Sequence, residues 1–312
     1  MNIALLDRLK RASGFIPWDR LDADHSDLDE LEAFGFCFER HPYHGVAYRG
    51  PSPRLCPDQI EWELNTRVIG RRVAVWNRVV STNDLAAKAS VSSSNNGLVI
   101  LAEEQTHGRG RRGRAWSSPP GSSILMSVLL FPTPALDDLG WLTALGAVAA
   151  AEVVSQFEGL DARIKWPNDV RVGGRKLAGI LVERGQGTVL GIGLNVNVGE
   201  FPGEIRDSAT SLQRLLGRPL DRSEIARALI QRLDFHHAQA VASGAGSLND
   251  SYRKLSEHFS HMVEVSATSA SLVGRLVDLD LRNGLTLELA PGETRQVAGR
   301  DVAAIVNRDS RG

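Results

Sequence analysis

Cysteine is almost missing from this chain of 312 residues, which holds only Cys37 and Cys56. Two thiols cannot build a disulfide framework, and two cysteines nineteen positions apart do not have a metal-binding spacing. A reducing cytoplasm is the expected compartment. Net charge is just as scarce. The 36 basic and 37 acidic residues leave a formal charge of -1, which argues against a protein devoted to nucleic acid or to a membrane surface. Long apolar runs are lacking too. The longest, near Trp141 to Val154, is too short to span a bilayer and contains Glu152. The opening MNIALLDRLKRAS meets a charge by its seventh residue, so no signal-peptide apolar run is expected. No internal repeat occurs, and no GxxxxGK[ST] phosphate loop. The eight histidines, from His25 to His261, show no zinc spacing.

What is present fits a globular protein of two or three domains. Hydrophobic residues make up 42%, enough to bury a real core. The first break in character is GPSPRLCPDQ, residues 50–59, with three prolines in seven positions. Before it, Ile3, Leu5, Leu6 and Leu9 fall on one helical face. Pro17 suits the first turn of a short second helix. Ser26 with Asp29 reads as a capping box opening a third helix, which Gly35 would close. FCFERHPYHGVAYRG then alternates as a hairpin. Three helices and a hairpin describe a winged helix-turn-helix.

After Val68, strands and helices mix. VAVWNRVV, GLVILAEE and ILMSVLLF are strand-like, and residues 139–157 form a long apolar helix. IKWPNDVRV, Gly173-Gly174 and RKLAGILVERG predict a hairpin on a two-residue turn, with TVLGIGLNVNV as the next strand. Residues 223–239 form an amphipathic helix. From about His261 only short strands remain (MVEVSA, LVGRLVDLD, GLTLELA, TRQVAG), at the even spacing of a small β-barrel.

Against the near-neutral whole, QTHGRGRRGRAW stands out. Four of the six residues from Arg109 to Arg114 are arginines. A charge run is usually a solvated surface. Glycines at 108, 110 and 113, however, let a ligand approach the backbone N–H groups. Arginine's planar fork of donors matches carboxylate and phosphate oxygens. A clamp for a polyanion is one reading and a nucleic-acid contact another.

The segments STND (81–84), AEEQTHGRGRRGRAW (102–116), IKWPNDV (164–170), RKLAGILVE (175–183) and GIGLNVNV (191–198) occur in this order. Together they closely resemble the biotin–protein ligases. The resemblance covers about residues 67 to 260, and the flanking regions match three-domain members of that family. The implied fold is α+β. A central mixed-sheet catalytic domain of the biotin/lipoate ligase type (67–260) lies between a winged-helix-like domain (1–66) and a C-terminal SH3-like β-barrel (261–312). The implied reaction joins biotin and ATP, with magnesium, into biotinyl-5′-adenylate and pyrophosphate. The biotinyl group then passes to one lysine of the biotin carboxyl carrier protein of acetyl-CoA carboxylase. A biotin carboxylate must meet a phosphate, so fixed positive charge is needed where negative charge gathers.

The resemblance assigns roles residue by residue. Ser81, Thr82, Asn83 and Gln105 are implied biotin contacts, since hydroxyls and amides suit a neutral ureido group. Ser81-Thr82-Asn83 is equally a helix start. Arg109, Gly110 and Arg111 are implied at the biotin carboxylate and the phosphates. Arg112 and Arg114 are left to shape the loop or face solvent. Trp116 either packs on adenine or anchors the loop. Lys165 is implied at the phosphate site, with Asn168 and Asn195 among the ATP and adenylate contacts. Asp169 is a turn residue and also a candidate acceptor for the proton of the incoming lysine, whose amine has a reference pKa near ~10.4. Lys176 is implied at the biotin carboxylate or its activated form. Gly179, Gly191 and Gly193 fit close backbone approach. No metal ligand is assigned.

The N-terminal domain departs from the repressor members of that family. Residues 1–66 hold seven basic and twelve acidic side chains, a net of -5, with no Lys or Arg between Arg20 and Arg40. A DNA-binding face needs the reverse. DNA binding is therefore not expected, whereas a homodimer is left open. A ligase that also represses transcription is the alternative, supported by Arg40, His41, His44 and Arg49. A lipoate ligase and a biotin sensor without catalysis are weaker readings.

Overall fold

The computed structural model describes residues 1–131, 138–267 and 271–308. The chain opens with helix α1 (Ile3–Arg11), whose Ile3, Leu5, Leu6 and Leu9 are buried as one face. The expected second helix is a single 3-10 turn, Trp18–Arg20, and Pro17 stands at its N-cap rather than in its first turn. Helix α2 (His25–Phe34) is closed by Gly35 as the sequence suggests. Its capping box is Asp24 with Asp27, not Ser26 with Asp29. Asp24 is the residue whose backbone is still extended (ψ 159°), as an N-cap requires. Strands β1 (Cys37–His41) and β2 (Gly45–Gly50) form the antiparallel hairpin. These elements enclose their own apolar core of α1, α2 and hairpin residues.

The Pro-rich stretch leads into short helix α3 (Pro57–Glu61), and hydrogen bonds fasten it to the rest. The Cys56 N–H donates to Ser223 Oγ (2.9 Å), and Lys10 pairs with Asp221 (2.7 Å). Asp234 accepts three consecutive backbone N–H groups, those of Arg67, Val68 and Ile69. Such bonds offset the desolvation of a buried carboxylate.

The centre is a seven-stranded mixed sheet. In chain order come β3 (Arg72–Val79), helix α4 (Thr82–Ala89), β4 (Leu98–Gln105), β5 (Ser123–Leu130) and helix α5 (Leu139–Val154). Then follow β6 (Ala162–Lys165), β7 (Asp169–Val172), β8 (Arg175–Arg184) and β9 (Thr188–Asn195). The spatial order is β3-β4-β5-β9-β8-β7-β6, with only β3 and β4 parallel. Residues 164–172, read as one strand, are two, parted at Trp166-Pro167. The β7–β8 turn is Gly173-Gly174 as expected, and both have positive φ (56° and 75°).

Period-2 alternation sorts the two faces. Leu190, Ile192 and Leu194 of β9, with Ile124, Met126 and Val128 of β5, join the core that contains α5. Helix α5 is apolar all round and therefore buried. It stops at Val154, three residues earlier than expected, where Ser155 caps it. Gly191 and Gly193 alternate onto the opposite face, where Val189 and Leu129 pack under Ala86 of α4. Helices α6 (Leu212–Leu216), α7 (Arg222–Ser243) and α8 (Gly246–Leu255) follow. The α7 helix runs past both ends of its predicted span.

The chain ends in an antiparallel sheet of β10 (Met262–Ala267), β11 (Ser271–Asp280), β12 (Gly284–Ala290), β13 (Glu293–Val297) and β14 (Val302–Asn307). Its order is β13-β12-β11-β10-β14. Strand β14 was not expected from the sequence.

Candidate active site

A cleft opens on the α4 face of the large sheet. Its floor has no side chains where three glycines sit. A Cβ on Gly193 would lie 2.4 Å from the Trp116 indole, and one on Gly191 2.4 Å from Asn83 Oδ1. Both distances are sterically forbidden, so only glycine lets the indole and the amide lie flat on β9. Gly179 of β8 likewise admits Trp116 and Lys176.

One end of the cleft is neutral and polar. Ser81, Thr82 and Asn83 are buried at the start of α4. Ser81 occupies the N-cap position, but its side chain makes no capping bond. The Thr82 N–H and hydroxyl both donate to Gln105 Oε1 (2.8 and 2.9 Å). Beneath them, the Ser127 hydroxyl lies 2.7 Å from Thr82 Oγ1 and 2.5 Å from Asn83 Oδ1. The Asn83 amide N–H donates to Glu183 Oε2 (2.6 Å). Neither Ser127 nor Glu183 is singled out by the sequence. Ser127 had one signal, a lone hydroxyl within ILMSVLL; Glu183 had none apart from its place at the end of RKLAGILVE.

The other end is cationic. Arg111 donates to Asn168 Oδ1 (3.3 Å), and no carboxylate pairs with it among the described residues. Desolvation, then the neighbouring Arg112, lowers its pKa from the ordinary arginine value, although a guanidinium keeps its charge. Lys176 pairs with Asp169 (2.7 Å) and stands 5.6 Å from the Trp116 ring centre. Lys165 lies across the β6–β7 pair from Asp169. Burial, then Arg171, holds its pKa below the usual lysine range. Between the two ends, Trp116 and Leu181 give an apolar middle. The buried Trp116 Nε1 has no hydrogen-bond partner among the described residues.

The arginine loop is closed on itself by Gly110 N–H to Arg114 O (2.7 Å) and Trp116 N–H to Gly108 O (2.9 Å). Arg112 sits in the left-handed region (φ 58°), a conformation that costs a bulky side chain about 1–2 kcal/mol. It donates to Ala303 O of β14 (3.2 Å), so the C-terminal sheet touches the loop.

Two assigned residues stand differently from the expectation. The Arg109 guanidinium is held by Asp84 (2.7 Å) and Glu183 (3.1 Å), which raise its pKa, Asp84 first. Its side chain is thus already neutralised, and Gly110 lines the cleft beside it. Asn195 is buried and donates to Thr210 O (3.1 Å), away from the residues lining the cleft. The cleft therefore suits a long, thin molecule with a neutral polar head, an apolar middle and an anionic tail.

Residues 75–198 match the biotin/lipoate A/B protein ligase family. The biotin–[acetyl-CoA-carboxylase] ligase of Mycobacterium tuberculosis is 35% identical over 262 residues, covering 80% of this chain and 97% of that protein. The bifunctional ligase/repressor BirA of Bacillus subtilis is 28% identical, covering 85% of this chain and 84% of that one. Among solved structures, the biotin protein ligase from Aquifex aeolicus in complex with biotin and ATP superimposes with a TM-score of 0.67 at 25% identity. It covers 76% of this chain and 99% of the other.

Proposed function

The chain belongs to the biotin–protein ligases, and from that premise we propose which of its residues carry each half of the reaction. The enzyme activates biotin with ATP and transfers the biotinyl group to a lysine of a biotin carboxyl carrier protein. In the first half-reaction a biotin carboxylate oxygen bonds to the α-phosphorus of ATP, and the bond to pyrophosphate breaks. Ser81, Thr82, Asn83 and Gln105 receive the ureido head, and Trp116 covers the apolar middle. Arg111 and Lys176 stand where the carboxylate meets the phosphate, with Lys165 and Asn168 beside them. Two anions repel by about 1 kcal/mol at 4 Å in water and by several times more in a partly dry site. Fixed cations remove that repulsion and gain strength as charge builds in the transition state.

In the second half-reaction the carrier lysine's amine attacks the anhydride carbonyl. A C–N bond forms, the C–O bond to AMP breaks, and Asp169 accepts the amine proton. Arg109 acts by backbone placement rather than by its paired guanidinium. Asn195 supports the 208–210 segment at the cleft edge, where Thr210 N–H donates to Lys176 O. Magnesium arrives on ATP as part of that substrate. Among the described residues no group of three His, Cys, Asp or Glu could hold it. No step is assigned to the ion.

The outer parts complete this reading. We assign residues 1–66 to a winged-helix-like domain, 67–260 to the catalytic domain and 261–312 to an SH3-like barrel. The N-terminal domain serves structure, dimerisation or carrier contact rather than an operator. Arg40 is taken by Asp29 (2.6 Å) and Glu32 (2.8 Å), and Arg49 by Glu39 (2.7 Å). Among the described residues no helix is long and apolar enough to cross a membrane, and a cytoplasmic site of action belongs to the same proposal.

The observation that carries the proposal is the polar-to-cationic gradient along one glycine-floored cleft. A dithiolane head offers no donor or acceptor to the buried Ser81, Thr82 and Asn83, which selects against it. The test is intact-mass measurement of a carrier domain incubated with ATP and equal biotin and lipoate. A biotinyl adduct on one lysine is expected; a lipoyl adduct, or none, overturns the assignment.

A further inference from the structure

Neither half-reaction uses Glu183, yet both ends of the cleft meet on its carboxylate. Oε2 accepts from Asn83 Nδ2 (2.6 Å) and from Arg109 NH2 (3.1 Å). Asn83 belongs to the polar end, and Arg109 opens the arginine loop. Ser127 Oγ lies 2.5 Å below the Asn83 amide oxygen, and the bare Gly191 backbone leaves the amide room against the sheet. Asp84, one residue further along α4, takes the same Arg109 nitrogen (2.7 Å). Helix α4, strand β8 and the loop are thus joined through one guanidinium and two carboxylates.

We propose that Glu183 is a positioning residue that transmits occupancy of the polar end of the cleft to the arginine loop. A ligand head that bonds the α4 N-terminus steadies Asn83. Asn83 steadies the Glu183 carboxylate, and that carboxylate sets Arg109 at the base of the loop carrying Arg111. The consequence is that the head of the substrate helps to place the cation needed at its tail. The inference rests on the biotin reading of the cleft. Glu183 touches no reacting atom and yet governs how head and tail are coupled.

The experiment is limited trypsinolysis at Arg109–Arg114, with and without biotin, on wild type, Glu183→Gln, Arg109→Gln and the double variant. Glutamine keeps the size and a neutral acceptor for Asn83 but loses one of the two charges that hold Arg109. The readout is the ratio of cleavage rates without and with biotin, which a merely loosened fold would not change. The wild type should be protected at least fivefold. Each single variant should fall to within twofold of no protection, and the double variant should be no worse than either. The biotin KM of the singles should rise more than kcat falls. Arg109 is exposed, so its variant remains informative if Glu183→Gln is poorly folded. Wild-type protection retained in Glu183→Gln or in Arg109→Gln overturns the coupling, as does a wild type that binds biotin without protection. A wild type that neither binds biotin nor forms the adenylate overturns the biotin reading itself.

Discussion

Arginines on the N-terminal hairpin and arginines in the central loop belong to the same residue type and live in opposite circumstances. Arg40 and Arg49 each face carboxylates of the neighbouring α2 and β1. Arg111 faces a neutral amide. Within the loop the same division recurs, since Arg109 is held between Asp84 and Glu183. Counting basic residues therefore says little about where an anion binds. What matters is whether a ligand can reach the cation: Arg111 is left without a carboxylate in the cleft, and Lys176 lines the same cleft although it shares Asp169. A third case is the seam between α8 and the C-terminal sheet, where burial keeps a group uncharged. His258 there has its pKa depressed to about 4 by burial, with help from Lys165 and Arg171.

The largest expected effect comes from removing a cleft cation. Lys176→Ala should slow adenylate formation by about 2.7–4 kcal/mol of transition-state stabilisation, or 10²–10³-fold. Pyrophosphate release at saturating biotin reads it directly, and a rate within twofold of wild type removes Lys176 from the mechanism. The seam should show its difference as pH dependence. The folded pKa of His258 lies below the unfolded value of 6.5, so the unfolded chain takes the proton first. Stability is complete above pH 6.5 and is lost as pH falls toward 4, by about 3 kcal/mol at most. His258→Gln should flatten that slope in urea unfolding at pH 7 and pH 4.5. Equal slopes would show that the seam does not exclude the proton.

A smaller effect is expected for Arg111→Gly. The adenylate should escape about tenfold faster, equivalent to about 1.4 kcal/mol, as trapping of released adenylate would show. The smallest belongs to the hairpin. Arg40→Ala and Arg49→Ala should change stability by no more than about 1 kcal/mol each, because their ion pairs are solvated. They should leave ligase activity unchanged. Mobility shift of the wild type on the promoters of its own biotin genes, at about 0.1 M salt, should show no biotin-dependent complex. A specific shift would put paired and unpaired arginines on an equal footing.

The local parts of the fold were legible in the sequence because local chemistry fixes them. Gly173-Gly174 sets the β7–β8 turn, and Gly35 ends α2. Misreadings arose where two local signals competed. DADHSD offers overlapping capping boxes two residues apart, and the extended residue wins. VVSQF continues the apolar run of α5, yet Ser155 stops it. WPN breaks what reads as one strand. Strand β14 carries Ala303-Ala304 in place of a clear alternation, and its pairing with β10 makes it a strand. In the cleft, the motif segments pointed to Ser81, Gln105, Arg111 and Lys176. Ser127 and Glu183 stayed hidden because their partners lie 44 and 100 residues away in sequence. The pairing of Arg109 with carboxylates stayed hidden for the same reason, since no count along the chain reveals it.

The most direct test sets the two kinds of arginine side by side. Purified wild type, Arg111→Gly and Arg49→Gly would each be loaded with biotin and ATP, and the rate of adenylate release would be followed by rapid trapping. The account predicts about tenfold faster release from Arg111→Gly and a wild-type rate from Arg49→Gly. Equal rates in all three would contradict the claim that the cation left unpaired in the cleft holds the reactive intermediate.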